Sequence, residues 1–108
     1  MSEYEDDALI PPATFEFLVA SLRTQAEIQL GVLHFGKEEE RPEPHLPLAR
    51  HAIDMLAMLG EKTKGNLEFD EQRLIENSLT ELRFLYVQAF ERQQKKSAAA
   101  SSESTPNG

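Results

Sequence analysis

Between residues 14 and 92 the apolar positions fall into three stripes, and each has the spacing of a helix face. Phe15, Val19, Leu22, Ala26, Leu30 and Leu33 recur at steps of three and four, which predicts a first helix. Thr14 fits its N-cap, because its hydroxyl can accept from an unpaired first-turn N–H, and Glu16 suits the positive end of the helix dipole. Gly31 lies inside the pattern, and Gly36 is the predicted stop. A second helix is predicted from Leu46 to Thr63, with Ala49, Ile53, Leu56 and Leu59 inward and Ala52 and Met55 beside them. A third begins near Glu68 to Asp70 and runs to about Arg92. Ile75, Leu79, Leu82, Tyr86 and Phe90 form its stripe, widened by Leu74, Ser78, Leu85 and Ala89. No stretch shows strand-like alternation, so the fold class expected is an all-α three-helix bundle.

The connections differ in kind. "GKEEERPEPHLP", residues 36–47, holds three prolines and three successive glutamates, and proline removes a helix backbone bond, so a long loop is expected there. Lys62 and Lys64 meet the negative pole of the second helix, and Gly65 supplies the left-handed residue of a tight hinge. Residues 1–13 read as an acidic, disordered leader and residues 93–108 as a disordered low-complexity tail, leaving 14–92 as the helical domain.

Charge and composition remove several function classes. The chain of 108 residues carries a net charge of −8, spread as −4 over residues 1–13, −5 over 14–90 and +1 over 91–108. Nucleic-acid affinity comes largely from clustered Lys and Arg on phosphates, so neither DNA nor RNA is an expected partner. The same sign disfavours anionic membrane surfaces. The longest apolar-rich segment, within the first helix, is broken by Glu16, Arg23, Gln25, Glu27 and Gln29, and no bilayer span is expected. The acidic N-terminus lacks the pattern of a secretory signal, which makes the cytoplasm the expected compartment. There is no cysteine, so disulfides, zinc–thiolate sites and thiol catalysis are excluded.

"GEKTKGN", Gly60 to Asn66, has the ingredients of a phosphate loop in the wrong order and place. A phosphate loop follows a strand and opens a helix, aiming N–H groups at the anion. Here Lys62-Thr63 falls where a helix closes, and the acids Glu68, Asp70 and Glu71 occupy the start of the next one. The stretch is therefore read as a lysine-capped helix end and a glycine turn. It also carries a resemblance. The segment Phe15, Leu18, Val19, Ser21 and Leu22, the Leu30-Gly31 pair, the proline loop, the run Ala49, Arg50, Ile53 and Asp54, the hinge Lys62, Thr63, Lys64, Gly65, Asn66 and Leu67, and then Leu82-Arg83 and Tyr86, together resemble a small bacterial family known as domain of unknown function 1844. The similarity spans about residues 14–90, with the hinge its most specific part. Glu68 departs from it, standing where a threonine often follows Asn-Leu, so the third helix is expected to cap at Asp70. The resemblance implies an all-helical fold and no established activity.

No reactive constellation emerges from the residues. Arg50 and Asp54, four apart on one helix, can pair across a turn, as structure or as a contact point. Arg83 and Tyr86 are neighbours on the third helix and candidates for an interaction surface, together with the hinge residues. His51 and Asp54 offer two metal ligands, the basis of an alternative metal-binding or enzymatic reading, but a di-metal bundle wants two Glu-x-x-His motifs and neither occurs. No cofactor is expected. Phe17 and Phe84 fall off the predicted inner faces, and a core this small is marginal, so a second apolar surface is expected, completed by a homo-oligomer or a protein partner.

Overall fold

Thr14 starts the first helix as its side chain allows: the backbone is extended, and Oγ1 accepts from Phe17 N–H at 3.1 Å. A computed structural model describes residues 9–103 of the chain. Those residues hold three α-helices, α1 (Phe15–Gln29), α2 (Leu46–Lys62) and α3 (Phe69–Glu103), with one 3-10 turn at Glu38–Glu40. Each helix packs against the other two, and no strand occurs among the described residues. The part of the acidic leader before Leu9 and the tail beyond Glu103 lie outside them.

Helix α1 ends earlier than its stripe suggests. Gly31, with φ +76°, takes the left-handed position after the C-cap Leu30. Val32 N–H then reaches Glu27 O at 3.1 Å, and Gly31 N–H reaches Ile28 O at 3.0 Å, the paired bonds of a Schellman close. A Cβ on Gly31 would stand 2.8 Å from Pro42 O, so the same glycine lets the proline loop lie against the helix end. The predicted stop at Gly36 is thus displaced to Gly31, and Leu33 belongs to the loop. Arg41 fixes that loop by donating Nε–H to Gly31 O at 2.6 Å.

Helix α2 begins with His45 as N-cap, whose Nδ1 accepts from Leu48 N–H at 3.3 Å, and with Pro47 in the first turn, where no intrahelical donor is lost. It closes at Thr63. Helix α3 starts at Phe69, one residue before the predicted cap Asp70, because the Glu71 carboxylate turns back to accept from Glu68 N–H at 2.8 Å. It then runs to Glu103, past the Arg92 at which composition ends it. Gln93 donates to Pro44 O at 2.8 Å and Lys96 pairs with Glu43, so the first turns of the expected tail are tied to the loop. Gln93, Gln94, Lys95, Lys96 and the three alanines 98–100 are good helix formers, a preference that outweighs low complexity here.

The core follows the three stripes closely. Val19, Ala26, Leu30, Ala49, Ala52, Ile53, Leu56, Ile75, Leu82 and Ala89 are buried, with Phe15, Leu22, Leu59, Leu74, Leu79, Leu85 and Tyr86 packed around them. Burying a side chain such as Leu56 or Leu82 stabilises the fold by about 1.5–3 kcal/mol. Met55 and Phe90, placed with the core by spacing, remain 39% and 44% exposed. Four of the ten buried apolar residues are alanines, which lets the helices approach closely but leaves little room to hide larger groups.

Candidate functional site

The seam between α2 and α3 collects five of the residues that sequence singles out, Arg50, Asp54, Lys64, Arg83 and Tyr86. Where α2 begins, Leu46, Pro47, Arg50, His51 and Asp54 face Tyr86 and Phe90 across an open recess of about 420 Å³. Farther along the same two helices, Ala57, Gly60, Glu61 and Lys64 face Ile75, Glu76, Leu79 and Arg83 across a second of about 270 Å³. Helical spacing explains the grouping. Positions 50, 54, 57, 61 and 64 fall at steps of three and four along the α2 side, as do 76, 79, 83, 86 and 90 on α3.

Within the first recess Arg50 Nε lies 3.9 Å from Asp54 Oδ2, and both side chains are largely exposed, at 73% and 68%. An exposed pair of this kind contributes only about 0.3–0.5 kcal/mol. His51 borders the same recess, but no group of three His, Cys, Asp or Glu is placed to hold a metal among the described residues. Tyr86 is half-buried against the core and Arg83 is exposed one turn away.

The hinge has a different character. Thr63 Oγ1 donates to Leu59 O at 2.7 Å, capping an α2 carbonyl, and Asn66 N–H donates to Thr63 O at 2.9 Å. Gly65 adopts φ +85°, the conformation the turn requires. Lys62 is exposed in the last turn of α2, where its charge meets the dipole. Of the predicted site residues, then, Arg50, Asp54, Lys64, Arg83 and Tyr86 come together on one seam. Lys62, Thr63, Gly65 and Asn66 build the corner beside it.

Two arrangements have no counterpart in the sequence reading. Arg23 of α1 donates to the fully buried Ser78 Oγ at 3.4 Å and pairs with Glu81 and Glu27, joining α1 to α3. The sequence signal is Arg23 beside an apolar stripe with a small polar residue, Ser78, on the inner face of another helix. A smaller recess of about 200 Å³ is lined by Arg41, Glu43, Gln93 and Lys96, whose polar groups hold the loop, and by Arg92. No described helix is long and apolar enough to cross a membrane.

A protein-family model described as "Domain of unknown function (DUF1844)" matches residues 12–88, which include α1, α2, the hinge and α3 as far as Gln88. No curated protein and no solved structure matches the chain.

Proposed function

The chain belongs to the DUF1844 family, and from that premise we propose that it is a small cytoplasmic interaction module that self-associates and catalyses nothing itself. One observation carries this reading: large apolar side chains stand on the outside of all three helices. Phe17 and Leu18 on α1, Met55 and Met58 on α2, and Phe84, Val87 and Phe90 on α3 are each between 39% and 63% exposed. Single exposed apolar groups are ordinary, but such groups on every helix around a core rich in alanine favour further burial against another protein surface.

The seam supports the same reading chemically. Its ionisable groups are solvated at a rim, whereas general acid–base work wants a carboxyl or imidazole enclosed with its reacting partner. Sedimentation equilibrium of the full chain tests the proposal. A concentration-dependent mass above that of the monomer is expected. A strict monomer up to about 100 μM, where association would be worth only about 5.5 kcal/mol, removes the self-association.

A further inference from the structure

The geometry points to the α2–α3 seam as a two-fold interface with a second copy of this chain, in which Arg50 of each copy pairs with Glu61 of the other. The inference rests on the self-association proposed above and specifies its surface and register.

Charge distribution selects the occupant. The whole chain is at −8, yet the two recesses of the seam are lined by three bases, Arg50, Lys64 and Arg83, and three acids, Asp54, Glu61 and Glu76. Two identical acidic molecules repel each other over most of their surfaces, and a charge-balanced strip is where they can meet at least cost. Balance alone would leave the register open. A two-fold interface is self-complementary, so each group needs its opposite at the position the symmetry assigns.

Helix α2 has such an order. Arg50 and Glu61 are eleven residues apart, about three turns, and therefore lie on the same side of the helix about 16 Å apart. Both are exposed. A two-fold axis lying over α2 midway between them, level with Asp54 and Ala57 on the same face, sets the two α2 helices antiparallel. Arg50 then lies over the other copy's Glu61, and the same pair forms again on the far side of the axis. Tyr86, Phe90 and Leu79 of α3 supply apolar surface along this strip. From Leu46 to Lys64 the seam is about 27 Å long and two helices, about 20 Å, wide. Two such faces bury on the order of 1,100 Å², near the lower limit for specific association, so a reversible dimer is expected.

The test is sedimentation of the wild type, R50E, E61R, an equimolar mixture of the two variants, and the double variant R50E/E61R. Each single substitution places like charges opposite one another and should weaken self-association at least tenfold. The mixture should recover it, because every pair across that mixed interface is again of opposite sign. The double variant should recover it for the same reason. Recovery on mixing also shows that the single variants are folded. A wild type that self-associates while R50E and E61R match its affinity overturns the seam and leaves the interaction module standing. Weakened single variants that fail to recover on mixing overturn the Arg50–Glu61 register. A wild type that stays monomeric defeats both readings.

Discussion

Gly31 and Arg23 show how single residues hold a small bundle in register. At Gly31 two demands coincide, a left-handed backbone to close α1 and space for Pro42 O, which a Cβ would approach to 2.8 Å. Gly65 makes only the first demand, since nothing lies within 4 Å of its added Cβ. Gly31→Ala should therefore destabilise the fold by about 2–4 kcal/mol and Gly65→Ala by about 1–2 kcal/mol, as read from urea unfolding midpoints. Equal effects would show that backbone conformation alone matters at both sites. Arg23 is a different case, because its guanidinium supplies a hydrogen bond to Ser78 Oγ inside the core. Arg23→Leu should cost about 1–3 kcal/mol by leaving that hydroxyl unpaired, and adding Ser78→Ala should restore much of the loss. A double-mutant cycle with no coupling energy would remove the bond from the account.

At the scale of elements, the stripes were legible because burial and period coincide: the inward positions on all three helices are those that recur at three and four. Ends were legible only where a side chain acts locally. Thr14 bonds its own helix and Lys62-Thr63 closes the next, so both read directly from composition. The close of α1 depends on Gly31 packing against Pro42, a contact eleven residues away that no local pattern expresses. The length of α3 likewise depends on Gln93 and Lys96 reaching back to Pro44 and Glu43. These contacts divide the last part of α3 into two. Deleting residues 97–108 should leave global stability within about 0.5 kcal/mol of the full chain, because the exposed side chains at 97–100 pack on nothing. Deleting from Gln93 onward should cost about 1–2 kcal/mol, since a clamp to the loop is lost. Chemical denaturation of both truncations decides between this and a purely decorative tail.

Over the whole molecule, the sequence named Arg50, Asp54, Lys64, Arg83 and Tyr86 one by one but not their joint placement along one seam. Arg50 and Asp54 were visible as a pair because four residues make one turn. Their meeting with Tyr86, some thirty residues on, required the hinge to return α3 along α2, and the identity of that face could not be read from either helix alone. The same distance effect governs how charge acts on self-association. Two chains at −8 with centres about 20 Å apart repel by roughly 13 kcal/mol in unscreened water. A Debye length of about 30 Å at 0.01 M salt lowers this to roughly 7 kcal/mol, and one of about 8 Å at 0.15 M to roughly 1 kcal/mol. Two exposed Arg50–Glu61 pairs contribute at most about 2 kcal/mol and lose only part of it over the same range. Long-range repulsion therefore wins, and self-association should strengthen at least tenfold between 0.01 M and 0.15 M salt, measured by sedimentation at constant pH. Weakening over that range would mean that local pairs such as Arg50–Glu61 outweigh net charge, and would overturn the dominance of long-range repulsion.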